Sequence, residues 1–541
     1  MTLSMDLHAD VLVIGSGVAG ALVAYRTARK GAKVIIMEAG PQVDRVDSVR
    51  RFQNAFPKTP ESAYAQSEFT PHPETDKPYA FYAQKGSHPF NSTYLRQVGG
   101  TTWHWLGSAI RLVPADFRMK SLFSLGVDWP ISYADLEPWY CQAEQELEVA
   151  GDDRDDLGSP RSAPYPMPPI AQSFLDLAWR NALDESNYKV RPTPQARLSK
   201  PSGDRPSCHG SASCIPICPI QAKYDATIHV ARAQSFGAML LNETCANFVE
   251  CRQDGRVEAV RFVRSDGSTG RVFARIVVVA ANGVETPRLL LASICEAFPG
   301  GVANRSDQLG RNLMDHPIQL SWALTRQPVW PYRGPGATSG IENFRDLKDR
   351  NVNSALRFEI GNEGWSWPKG APESTARELA LGGLRAKALD TALKEQTARH
   401  IRVAALTDQL PLASNRVTLD STQIERTGLP RAAIFYQLDS YTDRALANAK
   451  NMHEDMFRRI GVEGFWHKDG AEAAGHIMGT ARMGDDPATS VVDKDLRAHG
   501  HRNLFLVGAA AFPTGGTANP TLTIAALALR ASGAVLSSLT E

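Results

Sequence analysis

The short run from Ala9 to Gly20 constrains the fold more than any other part of the chain. Ala9 to Ile14 (ADVLVI) is a β-branched apolar stretch of the kind buried on both faces of a parallel sheet. It enters Gly15-Ser16-Gly17-Val18-Ala19-Gly20 without a linker, and a helical pattern then continues to about Lys30. A second apolar strand, Lys33 to Met37, ends at Glu38. Each part has a physical job in holding a dinucleotide. Gly15 makes the tight turn, Gly17 lets backbone approach a pyrophosphate, and Gly20 lets the helix pack closely on the strand. The helix N-terminus faces the phosphates, and Glu38 can accept hydrogen bonds from ribose hydroxyls. A glycine-rich turn alone is weak evidence, but strand, turn, helix, strand and acid in this order point to a bound dinucleotide. The pattern does not separate FAD from NAD.

The length of 541 residues predicts two or more lobes. Lys plus Arg (59) against Asp plus Glu (58) leaves a net charge of +1, which gives no electrostatic reason to expect a nucleic-acid partner. No stretch is expected to approach the ~18 apolar residues of a membrane span; the longest candidate, Ile524 to Leu536, is interrupted by Arg530. Met1 to Ala9 carries Asp6 and His8 and does not read as a secretory leader, so the sequence by itself reads as a cytoplasmic chain. The seven cysteines are an odd number, which argues against a disulfide framework, and three of them crowd between Cys208 and Cys218.

Further blocks carry a family resemblance. They are Arg96-Gln97-Val98-Gly99-Gly100-Thr101-Thr102-Trp103-His104-Trp105, then Ile276 to Ser293, read as a buried strand, a turn and a helix begun by Pro287. Gly310-Arg311-Asn312-Leu313-Met314-Asp315-His316 follows, and Asn503 to Gly508 precedes Ala518-Asn519-Pro520-Thr521 and a last helix. Together these resemble, from end to end, the glucose–methanol–choline oxidoreductases, FAD-dependent enzymes that oxidise alcohols. The resemblance implies an α/β fold in which an FAD-binding Rossmann-like domain is interleaved with a substrate domain built on an antiparallel sheet. The FAD domain would gather residues 1–45, 85–120, 225–320 and 460–541, and the substrate domain 46–84, 121–205 and 321–459. Gly15, Gly17, Gly20, Glu38, Gly99, Gly100, Thr101, His104, Gly508, Asn519 and Thr521 would then line the cofactor.

The local pattern agrees with that fold. Residues 244–280 read as an antiparallel meander broken at Gln253-Asp254-Gly255 and Ser265-Asp266-Gly267. Residues 400–440 carry further strand-like runs. Residues 320–375, rich in Trp, Pro and Gly, read as loops around a pocket, and residues 376–400 as a surface helix.

Removing hydride from a carbinol carbon needs a base for the hydroxyl proton, and histidine titrates in the right range. One histidine among 13 proves nothing alone. His476, in Gly475-His476-Ile477-Met478-Gly479-Thr480, resembles the segment that carries the family's catalytic histidine. The family's second catalytic position, His or Asn, corresponds to Asn519. Asn519 before Pro520 also reads as a helix N-cap with proline at the first helical position, and the helix N-terminus would stabilise a reduced flavin. His104 stands where some family members attach flavin covalently; a covalent link and simple packing beside the flavin both remain open.

Cys208-His209-Gly210-Ser211-Ala212-Ser213-Cys214-Ile215-Pro216-Ile217-Cys218-Pro219 places three thiols on a loop of small residues, as in iron–sulfur sites. The segment and Pro219-Ile220-Gln221-Ala222-Lys223-Tyr224 after it resemble a bacterial subgroup of membrane-associated glucose, fructose and gluconate dehydrogenases. The resemblance implies a 3Fe-4S cluster on Cys208, Cys214 and Cys218, within a loop at 206–224, relaying electrons from flavin to a multihaem cytochrome c subunit. It also implies a small subunit with a twin-arginine signal and a place on the periplasmic face of the inner membrane, reached through partners. His209 opens a rival reading as a zinc site of three Cys and one His. Relatives often have Asn before the catalytic histidine where Gly475 stands here, so the particular sugar, polyol or sugar acid does not carry over. The expectation is a dehydrogenase with hydride passing to flavin N5. An oxygen-using alcohol oxidase and a non-catalytic relay subunit are the rivals.

Overall fold

A computed structural model describes residues 5–55, 60–65, 81–362 and 372–540. The strand Met5–Ile14 pairs in parallel with Val34–Met37 on one side and Thr269–Val279 on the other. Met239–Leu241 extends the sheet in parallel beyond Val34–Met37. The long strand Thr269–Val279 divides its free edge. Its first half pairs antiparallel with Val257–Arg264, and its last residues pair in parallel with Leu504–Leu506. Thr244–Cys251 completes the meander and the seven-stranded sheet. Both expected turns are there, with Gly255 and Gly267 at φ +83°, a left-handed backbone that glycine adopts without steric cost.

The glycines of the amino-terminal turn act through close approach. Gly15, at φ +98°, would place a Cβ 2.5 Å from the Ala280 carbonyl oxygen, and a Cβ on Gly20 would lie 2.0 Å from the Gly15 carbonyl oxygen. The helix Val18–Ala28 can therefore sit directly on the turn. A Cβ on Gly17 would meet no protein atom within 4 Å, so its backbone faces open space.

An antiparallel six-stranded sheet forms the other lobe, in the order Val462–His467, Ile318–Thr325, His400–Thr407, Leu356–Gly361, Ala337–Ile341 and Val190–Pro192. Three of these strands lie in the stretch expected to be loops, of which 363–371 falls outside the described residues. The strands escaped notice because nearly every residue in them is buried, which removes the alternation of a half-exposed strand. Their glycines mark tight packing and not turns: a Cβ on Gly361 would meet the Arg402 guanidinium at 2.3 Å. The remaining strands, Arg416–Ile424, Pro430–Phe435 and Tyr82–Gln84, form a separate small sheet.

Four other expectations change. The single helix over 376–400 is two, Pro372–Leu381 and Ala386–Thr397, broken at Gly382-Gly383, where Gly383 has φ +97°. Pro287 does not begin its helix; it lies inside Asn282–Ala292. Proline has no N–H for the carbonyl four residues back, and that carbonyl, on Gly283, accepts instead from the Thr480 hydroxyl at 2.8 Å. Asn519 is not the helix cap. Pro520 takes that position with no side-chain cap bond, and the helix is Thr521–Ser538. That helix is long and apolar enough to cross a membrane, contrary to expectation, yet it packs against Val18–Ala28 and Tyr133–Leu147 in the core. Arg530 reaches the Lys494 carbonyl and the Asp495 carboxylate, so the charge sits at the rim of the core.

The Gly20 contact gives a direct test. Gly20→Val should lower unfolding stability by roughly 1–3 kcal/mol and reduce copurifying flavin, measured by urea unfolding and visible absorbance. A variant with wild-type stability and full flavin would contradict the packing.

Candidate active site

A cavity of about 1140 Å³ opens between the two large sheets, above the roughly 300–1,000 Å³ of an ordinary small-molecule cleft. The C-terminal ends of four parallel strands border it through Ile14, Met37, Ala280 and Val507, where ligands of open α/β sheets bind. Gly15, Gly17, Glu38, Gly100, Thr101, His104, Gly508, Asn519 and Thr521 line the same space, as do His476 and Cys214. Gly20 and Gly99 do not line it; they act one layer behind.

The turn is tied together through Ser16. Its N–H (3.0 Å) and hydroxyl (2.7 Å) donate to Glu38 Oε2, and the Gly40 N–H donates to Oε1 at 3.0 Å. Burial raises the Glu38 pKa against these hydrogen bonds. The Gly99 N–H donates to Ser16 Oγ at 3.1 Å, and a Cβ on Gly100 would lie 3.3 Å from Gly17 Cα. Two glycine turns thus meet backbone to backbone beside the cavity. The open face of Gly17 and the buried acid behind it suit the pyrophosphate and ribose of FAD.

Three segments converge on His476. Met314 and Met478 exchange backbone hydrogen bonds of 3.0 Å, and the Gly479 N–H donates to the Ala509 carbonyl at 3.0 Å. Asp315 Oδ1 accepts from the backbone N–H of His316 at 2.7 Å and of His476 at 3.0 Å, while Oδ2 accepts from the Ser92 hydroxyl. Burial pushes the Asp315 pKa up to about 6. The His476 ring meets His316 Nδ1 at 2.7 Å through its own Nδ1, and its Nε2 lies 3.5 Å from Asn519 Nδ2. Asn519 Oδ1 is buried and has no protein partner, an acceptor left for a ligand. Gly475 lines the cavity at φ +74°, with its Cβ position 4.0 Å from the nearest atom, the Thr93 carbonyl oxygen. The second sheet contributes Glu359 and Arg402 to the lining, and Lys468 and Glu472, near His476 in sequence, line it too. The sequence held no signal for Glu359 or Arg402, which are far from any motif. Asp315 and His316 stood in a quoted block, but their hold on His476 depends on a contact across 160 residues.

The cysteine loop borders the cavity. The buried thiol of Cys214 accepts from Arg197 Nη2 at 3.1 Å, Cys208 Sγ from the Gly210 N–H at 3.4 Å, and Cys218 Sγ from the Lys223 N–H at 3.5 Å. Burial raises the Cys208 pKa, which Arg197 and the Gly210 amide oppose. Lys223 donates to the Trp103, Trp105 and Cys214 carbonyls at 2.8, 2.6 and 2.9 Å, fastening the loop to the turns that flank His104. His209 is exposed, and among the described residues no three His, Cys, Asp or Glu side chains are gathered to hold a metal ion. This includes Cys208, Cys214 and Cys218, so neither the zinc nor the iron–sulfur reading rests on a ligand set already gathered.

Known proteins resemble this chain in sequence and fold. Residues 166–318 and 411–528 match the two GMC oxidoreductase models, and residues 10–48 match an FAD binding domain. The fructose dehydrogenase large subunit of Gluconobacter japonicus is 34% identical over 99% of each chain. The chain belongs to the GMC oxidoreductases. It is an FAD-dependent oxidoreductase acting on hydroxyl groups. A 6'''-hydroxyparomomycin C oxidase of Streptomyces lividus is 31% identical over 98% of this chain and 92% of its own. Formate oxidase from Aspergillus oryzae, in a variant form, shares the fold at a TM-score of 0.66 and 15% identity, with 98% of each chain covered.

Burial, reinforced by His316 and Arg357, holds the His476 pKa well below 6.5. A lowered imidazole pKa keeps the neutral, proton-accepting form populated into acid. With His476 as the base, kcat/KM should stay flat as pH falls through 6.5 and decline only at clearly lower pH. An acid limb at or above 6.5 in the pH profile would contradict this.

Proposed function

We propose that this GMC oxidoreductase is a dehydrogenase of a sugar, polyol or sugar acid that passes its electrons to a protein acceptor. The observation that carries the reading is one cavity bordered both by His476 and Asn519 and by the cysteine loop through Cys214. The likeness to a fructose dehydrogenase large subunit supports both a sugar and partner subunits. When bound, FAD supplies a hydride acceptor at N5, and a 3Fe-4S cluster on Cys208, Cys214 and Cys218 supplies a one-electron path.

The chain's own residues do the rest. A substrate hydroxyl donates to His476 Nε2 and accepts from Asn519 Nδ2, taking up the long 3.5 Å contact between them. His476 removes the hydroxyl proton as the carbinol hydrogen leaves. The N-terminus of Thr521–Ser538, with Pro520 and Thr521 on the cavity wall, favours the negative charge that builds up there. Lys468 and Glu472 pair at 2.9 Å and Arg402 stands 3.7 Å from Glu359, a wall of donors and acceptors suited to a substrate with several hydroxyls.

The three thiols fit a cluster by their donor set. Arg197 and Lys223 are both 1% exposed, Arg197 Nη1 has no hydrogen-bond partner, and amide N–H groups point at the sulfurs. These features favour negatively charged sulfur. By the subgroup resemblance, a multihaem cytochrome c and a small twin-arginine subunit are the partners. They would hold the enzyme at the periplasmic face of the inner membrane. His104 lines the cavity, and acid precipitation distinguishes covalent from packed flavin by where the colour goes.

His476→Ala should keep FAD and lose roughly 10²–10⁴-fold in kcat, read by anaerobic flavin bleaching with a panel of aldoses, ketoses, polyols and aldonates. Cys214→Ser should keep bleaching but lose the cluster EPR signal and cytochrome c reduction. Peroxide formed in step with product, with no iron bound, would replace the dehydrogenase by an oxidase.

A further inference from the structure

His316 is fully buried, does not line the cavity, and has no part in the chemistry above. Both its ring nitrogens are nonetheless engaged at short distance. Nε2 stands 2.6 Å from the Gly516 carbonyl oxygen, and Nδ1 stands 2.7 Å from His476 Nδ1. The two rings are nearly perpendicular, at 83° with centroids 4.9 Å apart.

The hydrogens of this chain follow from what each atom can do. A carbonyl oxygen only accepts, so His316 Nε2 carries a proton. Burial lowers the His316 pKa to about 4, so near neutral pH the ring is neutral and its Nδ1 is a bare acceptor. The hydrogen between the two Nδ1 atoms must then belong to His476. A neutral His476 with hydrogen on Nδ1 has a bare Nε2, the atom that faces Asn519.

We propose that His316 is a positioning residue that fixes His476 in the tautomer with a free Nε2 lone pair. This rests on the reading of His476 as the base. The polarity is set from Gly516 inward: carbonyl, His316 donor, His316 acceptor, His476 donor, base. The opposite tautomer would put a hydrogen on Nε2 and set two bare Nδ1 lone pairs against each other at 2.7 Å. When His476 takes the substrate proton, its Nδ1–H already has an acceptor, so the cation forms without any ring rearrangement. Asp315 and His316 thus hold His476 twice from one dipeptide, by the backbone N–H and by the ring.

The carbonyl that starts the chain is itself fixed. Gly516 has φ +62°, and a Cβ there would come 2.8 Å from Asp116 Oδ2. Asp116 is in turn held by Arg350 at 2.7 Å.

The test compares His316→Leu, which has no acceptor, with His316→Gln, whose amide can accept and donate. His316→Leu leaves the His476 Nδ1–H buried without a partner, and kcat should fall about ten- to a hundredfold with KM and bound FAD unchanged. His316→Gln should recover most of that loss. Nitrogen NMR of histidine-labelled wild-type holoenzyme, with His476 assigned from the spectrum of His476→Gln, should show a protonated Nδ1 and a bare Nε2. A protonated Nε2 in the wild type, or a His316→Leu variant with full kcat, overturns the inference. So does a Leu variant whose loss only tracks lost flavin. An active His476→Ala would instead remove the base itself, so the two readings fail separately.

Discussion

The contact between the helix Val18–Ala28 and the Gly15 carbonyl sets the frame for the rest of the site. With no side chain on Gly20, the helix settles on the turn, and the turn is pressed against Ala280 at the end of the next strand. Ser16 is then placed to hold Glu38 on one side and the Gly99 N–H on the other. Gly100 follows onto Gly17, and the short helical turn Gly100–Trp103 leads to His104 at the cavity. Lys223 grips the carbonyls around His104 and that of Cys214, which carries the order from the glycine turn to the cysteine loop. The cavity is therefore built outward from a place where backbone touches backbone.

What the sequence made legible was local. The amino-terminal turn and the meander over 244–280 are written in consecutive residues, and their glycines and β-branched runs mean the same thing in any fold. The strands Ala337–Ile341 and Leu356–Gly361 were not legible, because burial on both faces removes periodicity and because Gly361 answers to Arg402, not to a turn. Pro287 misled for a similar reason: the partner that excuses a proline inside the helix is Thr480, almost two hundred residues away. At the site, His476 and Asn519 stood out only through a resemblance. The Asp315–His316 grip that orients His476 is invisible until three segments meet.

Charge is arranged differently in the two halves of the cavity. Around His476, burial keeps both imidazoles neutral, so their order comes from which nitrogen can donate and which can accept. A neutral base in a desolvated site is ready for a proton and does not repel a hydroxyl donor. In the wall of the antiparallel sheet, ions come in compensated groups: Arg357 meets Glu342 at 2.9 Å and Glu359 at 3.4 Å, both nearly buried. Removing one partner of such a group would leave the other charge buried and uncompensated, and Arg357 still acts on His476, lowering its pKa.

The cysteine loop departs from that balance. Lys223 is buried, and burial lowers its pKa to about 8 even though Cys214, Cys218 and Asp225 favour its charge. Asp225 is already shared with Arg45, which also holds the Cys218 carbonyl at 2.8 Å and lies over the Trp103 ring. Arg197 adds a second buried cation directly on Cys214. Neutral thiols would leave these cations short of compensation in a place where an unpaired charge is expensive. Anionic sulfur satisfies them, and sulfur is held anionic near neutral pH by bonding to metal. The buried positive charge beside Cys214 is what the anionic sulfur of the proposed cluster would compensate.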